Sequence, residues 1–302
     1  MSAPLRTLSL PGETIQLGAR PWLMGIVNAS PDSFSDGGLH PDLDARVRLG
    51  AELIEAGADM LDVGGESAST GHPPVEVAEE IERVAPLIER LAGELGALVS
   101  VDTYKPAVAE AAVAAGARIV NDVSGLRDPG LADVCARSGA ALVLMHTLAA
   151  PRQRLQDPDL YEDITAEVLE FLAERMDLAV MRGMRAEQLI ADPGPDFAKT
   201  PAQTIRLLSE IERLHELGRP LLMAISRKDF IGALTGRGPR ERLPGTLAAL
   251  DHGVRGGAHI FRVHDVAAAA DFLAVQRALA GDSDIPADLA LTEEIRYARR
   301  DS

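Results

Sequence analysis

Ser226, Arg227 and Lys228 close an apolar run, Leu221-Leu222-Met223-Ala224-Ile225, and put two adjacent cations into a 302-residue chain whose formal net charge is −16. In α/β proteins ligands sit beyond the carboxyl ends of parallel strands, so cations in that place suit an anion. The arrangement recurs along the chain. Other short apolar runs end in Asn28, Asp102, Asn121, His146 and Asp192, and the last ends in Arg262 with His264 two residues on. One Asp or Asn after a strand is often no more than the cap of the next helix. A regular series of polar strand ends predicts a shared pocket.

Residue chemistry narrows what such a pocket holds. Asp102, Asn121 and Asp192 supply carboxylates and an amide, which match a donor-rich edge such as that of an aminopyrimidine. Lys228, Arg262 and His264 suit phosphate or pyrophosphate. Asn28 heads a loop rich in Ser, Asp and Gly, and offers an oxygen to a Mg²⁺ ion that takes further ligands from substrate phosphates. The sequence has neither the Cys/His spacing of a zinc site nor a Walker loop.

Eight strand-helix units position these residues. The strands are predicted at 22–27, 59–63, 97–101, 118–120, 140–145, 188–191, 220–225 and 259–261, each read as apolar throughout, as in parallel strands buried on both faces. Helical spacing follows at 43–57, 75–95, 105–116, 129–138, 161–181, 201–217 and 266–279. Eight such units predict an α/β fold of the TIM (β/α)₈ type, with a doubly wound open sheet as the alternative. Gly57, Gly116 and Gly257 precede strands and are expected to end helices in the left-handed conformation. Residues 1–19 read as an N-terminal hairpin turning at Pro11-Gly12-Glu13, residues 20–280 as the barrel, and residues 281–302 as a polar tail with at most one short helix between 286 and 300.

Only 3% of the residues are aromatic, so Ala, Leu, Val and Ile must build the core. The acidic balance argues against nonspecific binding to nucleic acid or to anionic membranes. The lone Cys135 has no intramolecular disulfide partner and reads as inert core. No apolar run approaches membrane-spanning length and no signal peptide is evident, which sets the expectation of a cytoplasmic protein.

The combined motifs resemble dihydropteroate synthase. They are Gly25-Ile26-Val27-Asn28 with Pro31 to Gly38, Ser100-Val101-Asp102-Thr103-Tyr104-Lys105-Pro106, Val120 to Gly125, Met145-His146, Asp192-Pro193-Gly194, Ser226-Arg227-Lys228 and Arg262 to Val266. The resemblance spans residues 20–280 and implies a pterin-binding TIM barrel. Such an enzyme, a transferase of folate biosynthesis, condenses 6-hydroxymethyl-7,8-dihydropterin pyrophosphate with p-aminobenzoate. By resemblance Asp102, Asn121, Asp192 and Lys228 hold the pterin, with Met145 and Phe197 as apolar neighbours. Arg262, His264 and Asn28 with Mg²⁺ hold the pyrophosphate, and Lys228, Arg262 and His264 carry the catalytic electrostatics. Ser226, Arg227 and Asp229 would face the acceptor. The family also implies a homodimer through barrel helices, and His146 is expected to orient neighbours rather than carry protons.

Three places depart from the family pattern. Glu66-Ser67-Ala68-Ser69-Thr70-Gly71 replaces Glu-Ser-Thr-Arg-Pro-Gly and loses a hydroxyl and a cation. One lost charge-assisted phosphate contact costs on the order of 1.5 to 3 kcal/mol, unless Arg127 or Arg152 compensates. Asp196-Phe197-Ala198 stands for Gly-Phe-Gly, and Asp229 for a common Ser near the p-aminobenzoate carboxylate. Asp229 is expected either to cap a helix beginning near Phe230 or to pair with Arg227; otherwise it would repel that carboxylate. These departures keep two alternatives open: a paralogue with another acceptor or no condensation, and a pterin-dependent methyltransferase domain.

Overall fold

The computed structural model describes residues 3–29, 42–66 and 74–292. Eight parallel strands form one sheet: β3 (Trp22–Asn28), β4 (Met60–Gly64), β5 (Val99–Asp102), β6 (Ile119–Asp122), β7 (Ala141–Met145), β8 (Leu189–Asp192), β9 (Leu222–Met223) and β10 (Ile260–Val263). Their order is β8-β7-β6-β5-β4-β3-β10-β9. A parallel bridge between Ala191 and Leu221 joins the two ends. The sheet is therefore a closed barrel, and the open-sheet alternative falls.

Between the strands run helices α1 (Leu43–Glu55), α2 (Val77–Glu94), α3 (Pro106–Ala114), α4 (Gly130–Ser138), α5 (Ile164–Met181), α6 (Pro201–Ser209), α7 (Asp229–Thr235), α8 (Leu243–Arg255) and α9 (Val266–Ala280). Local sequence explains their ends. Asp42 and Asp163 cap α1 and α5 through their carboxylates, and Thr200 with Gln203 forms a capping box at α6. Gly57 and Gly116 turn the chain from helix into strand at φ +105° and +116°, a region that glycine enters without strain. The helix expected over 201–217 breaks near Ser209, whose hydroxyl donates back to the Arg206 carbonyl at 2.7 Å, and continues as a 3₁₀ turn over Ile211–Leu217.

The core has two layers. One lies between strands and helices. The other fills the lower half of the barrel with inward residues Met24, Met60, Ile119, Val143, Ile190, Leu222 and Ile260. The hairpin of β1 (Arg6–Leu10) and β2 (Glu13–Leu17) belongs to this second layer: Leu8, Leu10 and Leu17 are buried against it and close the barrel's floor. His259 ties the hairpin's leading segment to β10, bonding the Pro4 carbonyl at 2.8 Å.

Among the described residues no helix is long and apolar enough to cross a membrane. Residues 282–292 form no helix or strand, and the remainder of the expected tail helix lies outside the described residues. Leu8→Ala removes a fully buried side chain from the floor. It is expected to lower unfolding free energy by about 2–5 kcal/mol. Urea denaturation would then show a lower midpoint with an unchanged slope; an unchanged midpoint would refute the plug.

Candidate active site

Side chains alternate along a strand, so the residue two steps above each floor residue also points inward. Ile26, Asp62, Asn121, Met145, Asp192, Ala224 and Arg262 stand two above Met24, Met60, Ile119, Val143, Ile190, Leu222 and Ile260. One step up from the apolar floor the barrel thus becomes polar and ionisable. Above it opens a cavity of about 300 Å³, lined by Asp102, Asn121, Met145, Asp192, Phe197, Ser226, Lys228, Arg262 and His264 among others. Residues from the ends of β5, β6, β7, β8 and β10 and from the segments after β8, β9 and β10 meet there, whereas Asn28 and His146, also in the predicted series, do not line it.

Opposite charges satisfy one another in this layer. The Arg262 guanidinium donates from Nε to Asp62 Oδ2 at 2.6 Å and from Nη2 to Asp102 Oδ2 at 3.0 Å. Asn121 Nδ2 donates to the same Asp62 oxygen at 3.1 Å. Asp62 Oδ1, Asn121 Oδ1 and Ser100 Oγ remain buried without a hydrogen-bond partner. Unpaired buried acceptors are costly, and an N–H donor on a ligand in the cavity would relieve Asn121, the one of the three that lines it. Burial pushes the Asp102 carboxyl up against the pull of Arg262. Asp192 is likewise pushed to about 6 by burial, opposed by the Gly194 N–H and by Lys228. Burial lowers Lys228, with Asp196 and then Asp192 drawing it back up. The Lys228 ammonium lies 4.2 Å from the centre of the Phe197 ring, close enough for a cation–π contact.

The basic turn divides its residues between cavity and frame. β9 ends at Met223, two residues short of the expected Ile225, because the chain is already entering the turn at Ser226 and Arg227. Arg227 sits at φ +58° and grips Asp265 with Nε at 3.1 Å and Nη2 at 2.7 Å. Ser226 meets His264 Nδ1 at 3.0 Å and lines the cavity, whereas Arg227 and Asp229 do not line it. Asp229 neither caps α7 nor pairs with Arg227. It is the first residue of α7, and its carboxylate accepts from Arg242 Nη1 at 3.1 Å and faces Arg154 at 3.6 Å. Two arginines thus partner the Asp229 carboxylate.

Glu66 organises the opposite rim. It accepts from Val75 N at 2.9 Å, Tyr104 Oη at 2.8 Å, Lys105 Nζ at 3.1 Å and Arg152 Nη1 at 2.6 Å. Burial works against its charge, yet these donors hold it below the usual carboxylate range. Arg152 lines the cavity; Arg127 instead bonds the Leu148 carbonyl at 2.9 Å. Asn28 ends β3 beside this rim. The loop that follows it from residue 30, and the departures at Ala68 and Ser69, lie outside the described residues.

The family model described as "Pterin binding enzyme" matches residues 24–264. Dihydropteroate synthase of Synechocystis is 41% identical over 271 residues, covering 89% of this chain and 93% of that protein. The chain belongs to the dihydropteroate synthase family. Solved structures agree. The Xanthomonas albilineans dihydropteroate synthase with 4-aminobenzoic acid superposes with a TM-score of 0.83 at 46% identity, covering 93% of this chain and all of that one. The same organism's enzyme in complex with 7,8-dihydropteroate gives 0.79 at 44% identity, over 92% and 100% of the two chains.

Two buried groups of this family member escape the sequence reading. Asp62 sits inside a strand taken as apolar throughout; its place two residues above Met60 is the signal that finds it. Lys199 is wholly buried behind the cavity, donating to His146 Nδ1 at 2.8 Å and to the Gly194 and Phe197 carbonyls at 2.9 Å each. Burial, reinforced by Lys199, drives His146 down to about 2, so the ring stays neutral and holds the lysine. The His146 backbone N–H also donates to the Asp192 carbonyl at 2.9 Å, which ties the residue after β7 to the end of β8.

Burial lowers Lys199 itself from 10.5 to about 7. Between those values the unfolded chain holds a proton that the native chain has released, so this residue makes the protein more stable as pH rises through that window. Compared with Lys199→Met, the wild type should gain about 1 kcal/mol per pH unit there. Urea unfolding at pH 7 and pH 9 reads the difference; a constant difference would rule out the shift.

Proposed function

We propose that the cavity condenses 6-hydroxymethyl-7,8-dihydropterin pyrophosphate with p-aminobenzoate, giving dihydropteroate and pyrophosphate. One observation carries the reading: buried acceptors and cations from distant strand ends share one cavity, and Asn121, which lines it, retains an unpaired buried oxygen. A pterin's amino and ring N–H groups are the donors such an oxygen lacks. The relatives named above, one holding 4-aminobenzoic acid and one 7,8-dihydropteroate, support both halves of the reaction.

In this assignment Asp102, Asn121, Asp192 and Lys228 fix the pterin, and Met145 and Phe197 border its ring. Arg262 and His264 face the pyrophosphate. As the C–O bond to the pterin methylene breaks, its electron pair leaves with pyrophosphate, and the arylamine nitrogen forms the C–N bond and loses a proton. Preorganised cations that stabilise the departing charge supply the acceleration. No side-chain nucleophile takes part. Arg262 must loosen its bond to Asp102 for both groups to meet substrate. Ser226 orients His264, while Arg227 and Asp229 shape the acceptor side from behind.

Asn28 fits a Mg²⁺ ion as a single neutral oxygen donor, because Mg²⁺ commonly completes its shell with water and phosphate oxygens. Among the described residues no cluster of three or more His, Cys, Asp or Glu makes a dedicated metal cage. Bound with the substrate, the ion would neutralise charge on the leaving pyrophosphate. The apolar Val275 and Leu279, exposed on α9, support a homodimer through barrel helices, and the biosynthetic role supports a cytoplasmic location.

Purified protein supplied with both substrates and Mg²⁺ should release pyrophosphate and dihydropteroate in equal amounts. Pyrophosphate without dihydropteroate would assign a different acceptor. Lys228→Ala should weaken binding of the pterin pyrophosphate about 10- to 100-fold by calorimetry, and unchanged affinity would remove its assigned role. For the wild type, affinity should rise from pH 5 to pH 7 as Asp192, held near 6, becomes an acceptor-only carboxylate. A flat profile would mean that Asp192 does not bind the pterin through its charge.

A further inference from the structure

Asp196 occupies a place where the family pattern carries glycine, and it does so at a backbone cost. Its φ is +67°, in the left-handed region that non-glycine residues rarely enter. That turn aims the carboxylate across the barrel rim, from the loop after β8 to the start of α7. Asp196 Oδ2 accepts from the backbone N–H of Asp229 at 2.6 Å and of Phe230 at 3.3 Å. The other end is anchored on α6. Thr204 Oγ1 accepts from the Asp196 N–H at 3.0 Å and donates to Asp196 Oδ1 at 3.1 Å.

The N-cap position just ahead of α7 is Lys228, which makes no side-chain cap of its own. Asp196 therefore supplies, from 33 residues earlier in the chain, the acceptor that the helix lacks. The next residue, Phe197, is the ring over which the Lys228 ammonium lies. One side chain thus fixes both the helix that carries Lys228 and the aromatic surface beneath it, without lining the cavity itself.

We propose that Asp196 is a positioning residue for Lys228, closing the start of α7 from the neighbouring loop and setting the ammonium over Phe197 toward the substrate cavity. The inference deepens the proposed function and rests on Lys228 as a pterin ligand. The charged groups that act on Lys228 are Asp196, Asp192, Arg262 and Asp229, and of the favourable ones Asp196 acts most strongly. It therefore contributes a hydrogen-bonded frame and a charge. The two contributions separate by substitution.

Asp196→Gly removes the carboxylate and relaxes the left-handed backbone, so folding is not endangered. Asp196→Asn tolerates the same φ and keeps an acceptor oxygen without the charge. The chain has only three lysines, Lys105, Lys199 and Lys228, so lysine-selective ¹³C labelling of the full chain lets the Lys228 titration be followed by NMR, with Lys228→Ala assigning its signal. Loss of the charge should move that titration to lower pH in both variants. The KM for the pterin pyrophosphate should rise about tenfold in Asp196→Gly and less in Asp196→Asn, with kcat changing less than KM. A Lys228 titration that stays at the wild-type position in both variants would overturn the proposal, as would an unchanged KM in Asp196→Gly. If the wild type forms no dihydropteroate, the functional reading fails while the titration, which needs no turnover, still decides the role of Asp196.

Discussion

Inside the closed barrel, Arg262 lies between Asp62 and Asp102, and the polar half of the barrel depends on that compensation. A lone carboxylate among apolar strands would pay several kcal/mol of desolvation. The guanidinium satisfies two carboxylates from one planar group, a geometry that a lysine ammonium does not reproduce. The compensation is incomplete by design of the hydrogen bonds: Asp62 Oδ1 and Asn121 Oδ1 keep unused acceptor capacity. The barrel can hold its charges without substrate and still present acceptors to a donor-rich one. Beneath them the hairpin side chains Leu8, Leu10 and Leu17 keep water from reaching this layer from below.

The division of labour between the two cation types extends around the rim. Arg227 and Arg242 serve as frame: one forks onto Asp265, the other gathers the carbonyls of Arg227 and Lys228 together with the Asp229 carboxylate. All three lysines sit at the same end of the barrel, and each is buried to a different degree for a different purpose. Lys105 is paired with Glu66 and Glu80, Lys199 is enclosed by carbonyls and a neutral histidine, and Lys228 faces the cavity. A compact ammonium with three donors fits these enclosed positions, where the wide guanidinium would need more room.

Much of this was legible in the sequence because the barrel repeats. Each unit ends its strand at the same rim, so Asp102, Asn121, Asp192, Lys228 and Arg262 could be collected without knowing any contact. The hairpin and the glycine helix ends were legible through turn chemistry. Asp62 was not, because a strand read by its average polarity hides an acid set between Leu61 and Val63; only the two-residue alternation, counted from Met60, turns it inward. Lys199 carried still less signal. It lies in a loop where a lysine is ordinarily solvated, and its burial follows from His146 and two carbonyls that meet only in three dimensions. Asp229 failed in the other direction: sequence distance favoured Arg227, but the geometry of the turn committed Arg227 to Asp265 and brought Arg242 and Arg154 to Asp229.

The loop after β8 shows how a departure from a family pattern can be absorbed. Asp196 and Ala198 both stand at positive φ, +67° and +50°, where side chains cost roughly 1–2 kcal/mol each. Such conformations persist when their surroundings over-determine them. Here Lys199 holds the Gly194 and Phe197 carbonyls from within, and Thr204 holds Asp196 from α6. Gly194, at φ +63°, must remain glycine, since a Cβ would run into the His146 carbonyl. The two other positions carry side chains nonetheless: the Ala198 methyl is buried, and the Asp196 carboxylate is held by Thr204 and by the Asp229 N–H. What the backbone loses in conformational freedom, the Asp196 carboxylate recovers at the start of α7. The strain and the cap are therefore one feature: a carboxylate reaches α7 only because the backbone that bears it is held in the left-handed turn.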